Sequence, residues 1–184
     1  MKRNKALKTV LALSLMATVM TSCSSDDDTP EIVNEEEIIT TMTVTLTSAN
    51  GTAILKSQDL DGDGPNEPVI SADNLTANTI YSGSIELLNE TETPAEDITE
   101  EVAEESDEHQ FIFGLSGSIA DLTYSDEDED GNPIGLEFEL TTGDAGSGLL
   151  TITLRHEPTK PNDGTLADAG GETDITQTFE VVVE

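Results

Sequence analysis

From residue 38 onward, hydrophobic and polar positions alternate with a period of two. In TMTVTLTSANGTAIL, Met42, Val44 and Leu46 fall between threonines, the pattern of a strand with one buried face. Asn50-Gly51 follows, the strongest short hairpin signal, and predicts a second strand over about 52–58. A loop rich in Asp, Gly and Pro occupies 59–74, and a strand is expected from about 79 to 89. Leu75, Thr79 and Tyr81 resemble the corner of fibronectin-type sandwiches, in which a tyrosine hydroxyl bonds back to the chain. Further on, Phe111, Phe113 and Leu115 share a face, as do Leu136, Phe138 and Leu140. The same holds for Leu150, Ile152, Leu154 and His156, and for Ile175, Phe179, Val181 and Val183. Between them, SIADLTY reads as one more strand and GDAGSG (143–148) as a glycine-rich hairpin.

One segment breaks the alternation. TPAEDITEEVAEES offers Thr93 as N-cap, Pro94 at the first helical position and Glu96 to complete a capping box. Ala95, Ile98 and Val102 make a narrow apolar stripe, so a short helix covering a sheet edge is expected. The whole pattern predicts an all-β protein: an antiparallel β-sandwich of about eight strands with one short edge helix.

The first 37 residues read differently. Lys2, Arg3, Lys5 and Lys8 precede an apolar run from Val10 to Met20, too short to span a bilayer and typical of a secretory signal. Met20-Thr21-Ser22-Cys23 resembles a bacterial lipobox, which implies acylation of Cys23 and anchoring to a membrane by lipid. SSDDD, just after it, resembles the acidic export signal of surface lipoproteins in Bacteroidota. The expected organisation is a signal peptide over 1–22, an acidic flexible tether over 23–37, and the sandwich over 38–184. Cys23 is the only cysteine, so a lipidated chain has no thiol left for disulfides, thiolate metal sites or nucleophilic catalysis.

Charge narrows the partners. Cleavage before Cys23 leaves three basic residues, Lys56, Arg155 and Lys160, against 39 acids, a formal charge of −36. Such a surface repels nucleic acid and anionic headgroups and attracts cations. The chain also lacks tryptophan and has two tyrosines, which disfavours a stacking platform for sugars. No phosphate loop, dinucleotide fingerprint or G-x-S-x-G elbow is present.

DLDGDGPNEPVI, PAEDITEEVAEESDEHQF and LRHEPTKPNDGTLADAGGETDI, together with the lipoprotein start, resemble a group of small Bacteroidota lipoproteins. Its members often carry the label "type 1 periplasmic binding fold superfamily". That label implies two lobes of βαβ units, each crossover needing a helix of ten or more residues. The alternation here supplies one helix among many strands, so the fold expectation follows the alternation.

Two kinds of candidate site remain. SDEDEDGNPIGLE fits the EF-hand loop spacing, with Asp126, Asp128, Asp130, the Asn132 carbonyl and Glu137 as calcium ligands. DLDGDG half-repeats it with Asp59, Asp61 and Asp63, but Ile70 stands where the bidentate glutamate belongs. The flanks read as strands, so a solvated hairpin turn is the competing reading. The second candidate pairs His109 with His156, each with acidic neighbours. If their strand ends meet, two imidazoles and a carboxylate could hold zinc or copper; otherwise each is a rim histidine bonded to a nearby acid. The functional expectation is a non-enzymatic, lipid-anchored, surface-exposed outer-membrane lipoprotein with a cation-attracting binding domain. Service as an accessory to an outer-membrane uptake receptor is one such role. The alternative is a small secreted hydrolase on the same scaffold.

Overall fold

A computed structural model describes residues 37–62 and 64–184. The expected lipidation site Cys23, the expected signal peptide, nearly all of the expected tether and Asp63 lie outside the described residues. The described residues form ten strands: β1 (Thr41–Ser48), β2 (Gly51–Gln58), β3 (Val69–Ala72), β4 (Ile80–Asn89), β5 (Glu96–Asp97), β6 (His109–Gly117), β7 (Ile119–Tyr124), β8 (Glu137–Thr142), β9 (Gly146–His156) and β10 (Glu172–Val183). Two short helices join them, α1 (Ile98–Glu104) and α2 (Leu166–Ala169). One sheet has the order β3-β2-β1-β4-β8-β7, with β5 paired to β4; the other is β10-β9-β6. All strand pairs are antiparallel, and the two sheets make an open sandwich, as the alternation predicts.

The core is the sum of the apolar faces read from the sequence. Met42, Val44, Leu46, Leu87, Phe111, Leu140, Ile152, Leu154 and Phe179 are all fully buried. Each such side chain contributes about 1.5–3 kcal/mol over its exposed state. The tyrosine corner forms as expected, with the Tyr81 hydroxyl accepting from the Thr76 N–H at 2.7 Å.

Four local expectations are corrected. The strand count rises from about eight to ten among the described residues, because β3 and β5 are too short to show an alternating pattern. The helix begins at Ile98 with Asp97 as N-cap, its carboxylate accepting from the Thr99 N–H at 3.0 Å. Thr93 is not the cap because Glu96 and Asp97 pair with the end of β4 instead. A second short helix, α2, is capped by Thr165. Finally, GDAGSG is not a hairpin: β8 and β9 lie in different sheets, so residues 143–145 cross the sandwich.

The edge role expected of α1 is visible in its bonds. β8 pairs only with residues 80–84 of β4, leaving the rest of that edge uncovered. The Thr99 hydroxyl accepts from Leu87 N–H and donates to Leu87 C=O, and β5 completes the edge. Ile98 and Val102 then bury the helix's apolar stripe against the core.

Candidate metal centre

β6 and β9 are held in register by their apolar faces, Phe111 opposite Leu154 and Phe113 opposite Ile152. Continuing that register by two residues places His109 directly opposite His156. The two imidazoles stack with centroids 4.7 Å apart. His109 is fully buried and His156 is 5% exposed. The two strand ends therefore meet, the condition on which the transition-metal expectation rested.

The carboxylate comes from a third strand. β10 pairs with β9 through Thr173 opposite Arg155, then Ile175 opposite Leu154, leaving Asp174 as an extra residue in a β-bulge. Thr173 stays on the outer face and accepts a hydrogen bond from Arg155. The bulge turns Asp174 to the inner face, where its side chain is 1% exposed. Asp174 Oδ2 lies 3.9 Å from His109 Nε2, and Asp174 Oδ1 lies 3.7 Å from His156 Nδ1.

Hydrogen bonding sets the chemistry of His109. Its Nδ1 lies 3.1 Å from the Glu105 carbonyl oxygen. A carbonyl can only accept, so Nδ1 carries the hydrogen. In the neutral ring Nε2 then presents its lone pair, buried and without a hydrogen-bond partner, toward the carboxylate. Metal-ligating histidines show this arrangement, with the far nitrogen tied to a carbonyl or carboxylate that fixes the tautomer. One ligand atom from each of His109, His156 and Asp174 falls within 4.8 Å of the others.

The surroundings are strongly negative. Glu37, at the start of the described chain, is pushed up to about 7 by burial and by the carboxylates of Glu101, Glu105 and Asp174. Glu37 and Asp174 also line one open cleft of about 500 Å³. Glu37, Glu101, Glu105 and Asp174 thus form one cluster of acids that reaches the histidine pair through Asp174.

No family model, curated protein or solved structure matches this chain.

The acidic turns are arranged differently from the histidine cluster. Asp126 accepts from the backbone N–H groups of Gly135 (2.7 Å) and Glu137 (3.0 Å). Asp128 is buried and accepts from the N–H groups of Asp130 and Asn132, the Asn132 amide and Lys160 Nζ, the last at 3.2 Å. Burial pulls Asp128 upward, but the bonds from Asn132 and the Lys160 ammonium outweigh it and hold the carboxyl below its ordinary value. Lys160 Nζ also donates to the Ser106 carbonyl at 2.6 Å. Asp130 and Glu137 are exposed. Of the calcium candidates Asp126, Asp128, Asp130, Asn132 and Glu137, backbone amides thus hold the Asp126 carboxylate, and backbone amides, the Asn132 side chain and Lys160 hold that of Asp128.

Asp59 and Asp61 lie on the β2–β3 loop, where Asp59 accepts from Asp61 N–H and Asp61 accepts from the Asn66 amide at 2.6 Å. That loop sits at the opposite edge of the larger sheet from the β7–β8 turn, so the two acidic turns cannot share ligands. Asp174 is the residue that sequence reasoning missed. Strict alternation backward from Phe179 assigns Ile175 and Thr173 to the core and Asp174 to solvent, and nothing in TDITQTF marks a bulge.

Proposed function

We propose that this protein is a lipid-anchored binding lipoprotein whose ligand is a divalent transition metal, held by His109, His156 and Asp174. One observation carries the reading: buried His109 Nε2, which has no hydrogen-bond partner, faces the buried carboxylate of Asp174. With the ring neutral, an imidazole nitrogen and a carboxylate facing each other in a low-dielectric site favour a cation between them. Zinc bonds nitrogen and oxygen at about 2.0–2.2 Å, which spaces tetrahedral ligands by roughly 3.4 Å. The separations of 3.7 and 3.9 Å are a small side-chain adjustment away. Mixed imidazole and carboxylate donors suit zinc and copper. The acidic surface supports the same reading, since it concentrates cations near the site.

The Cys23 lipobox and the acidic stretch after it support placement on the outer membrane, facing outward. An uptake receptor is a fitting partner for a surface protein that gathers a scarce cation.

Calorimetric titration of the chelator-treated mature protein with zinc, copper and ferrous iron tests the metal. One equivalent should bind, and His109→Ala, His156→Ala and Asp174→Asn should each lower affinity at least tenfold, as loss of one ligand does. Zinc binding unaltered in all three variants would sink the proposal.

A further inference from the structure

The three ligands of the proposed centre are almost sealed. The side chains of His109 and Asp174 are 0% and 1% exposed, whereas His156 retains 7%. An aqua ion cannot reach such a site whole; it must shed water in stages, and each stage needs a replacement ligand. His156 is where those stages can begin.

Its ring stands between two carboxylates. Nδ1 faces Asp174 Oδ1 on the buried side at 3.7 Å, and Nε2 faces Glu108 Oε2 on the solvent side at 3.9 Å. Glu108 is half exposed, and Glu157 is exposed beside it. Glu157 N–H donates to the Glu108 carbonyl at 2.7 Å, so the two backbones are tied one step beyond the β6–β9 pairing. One ligand atom from each of Glu108, His156 and Glu157 lies within 4.8 Å of the others. Two ligand sets, one exposed and one buried, therefore share a single imidazole.

We infer that Glu108, His156 and Glu157 form an outer metal position through which a divalent ion enters and leaves the buried centre. This rests on the metal reading of His109, His156 and Asp174. At the outer position the carboxylates replace part of the hydration shell while the ion remains solvated on its open side. The ion then passes around the edge of the His156 ring to the inner set. Whichever ring nitrogen holds the ion, the opposite one keeps its hydrogen and faces a carboxylate, so the ring is supported in both positions. An entry station changes rates in both directions and leaves the equilibrium nearly untouched, because it contributes no ligand to the final site.

The test is stopped-flow zinc exchange on the mature protein, with association followed by a competing fluorescent chelator. In Glu108→Gln/Glu157→Gln, association and dissociation should both slow by about tenfold, with the dissociation constant within about threefold of wild type. Glu104→Gln/Asp107→Asn removes the same charge from nearby positions in the chain before Glu108, outside the ligand set, and should leave both rates within twofold. Three results would overturn the entry position: unaltered rates in the Glu108/Glu157 variant, equal slowing in the control, or slowing in Glu37→Gln alone, which would route the ion through the cleft beside Asp174. Wild-type protein that binds no zinc sinks the centre itself, a failure visible before any variant is made.

Discussion

At the scale of single residues, the local field decides what each carboxylate does. Asp128 is buried yet ionised because Asn132 and Lys160 donate to it. Glu37 meets the opposite surroundings, with burial and three other acids pushing it up to about 7 from an ordinary 4.5. In that window the folded chain holds a proton that the unfolded chain has released. A raised carboxyl stabilises fully below the unfolded value, and this contribution is lost as pH rises through the folded one. Chelator-treated protein should therefore lose melting temperature between pH 5 and 8. Glu37→Gln should flatten that loss, melting above wild type at pH 8 and close to it at pH 5. Parallel curves for the two proteins would show that Glu37 is not the group responsible.

At the scale of elements, small irregularities place the chemistry. The bulge in β10 shifts one residue, and that shift exchanges Thr173 for Asp174 on the inner face. The turn between β7 and β8 is a second case, drawn closed around Asp128 by the side chain of Lys160 from the loop after β9. Lys160→Met should lower stability by about 2 kcal/mol, the scale of one hydrogen bond to a charged group. Adding Asp128→Asn should recover part of the loss, because the stranded charge is then gone. Denaturant melts of the single and double variants check this; equal stability of Lys160→Met and wild type would show that the pair holds nothing. Calcium added to wild type at constant ionic strength should leave the melt unchanged, since the lysine already serves as the turn's cation. A calcium-specific rise lost in Asp126→Ala would restore the calcium reading of that turn.

At the scale of the molecule, charge and anchoring dominate. Three bases face 39 acids in the chain after Cys23, so the folded domain repels itself and draws in cations. Among the described residues no helix is long and apolar enough to cross a membrane. The proposed attachment is through acyl chains on Cys23. Cys23→Ser should move the protein from the membrane fraction to the soluble fraction after signal cleavage. A processed variant still sedimenting with membranes would end the lipid-anchor proposal.

The alternation of Met42, Val44 and Leu46, and its repeats through Val183, determined by itself that this chain folds as an antiparallel sandwich. Period-two burial is a local property, written residue by residue, and the inner faces it names are the inner faces observed. Histidine candidacy was legible for the same reason, because His156 extends the apolar face of Leu150, Ile152 and Leu154. Three things were decided only by the tertiary structure. The meeting of His109 with His156 depends on the β6–β9 register, set jointly by two strands that β7 and β8 separate along the chain. Asp174 enters through a bulge, which arises where β10 must satisfy both its pairing with β9 and its packing on the core. The partner of Asp128 is Lys160, thirty-two residues away, so EF-hand spacing could count the acids of that turn but not the ammonium that closes it. Spacing along a chain records which ligands are available; only the packed fold fixes which of them face the same point in space.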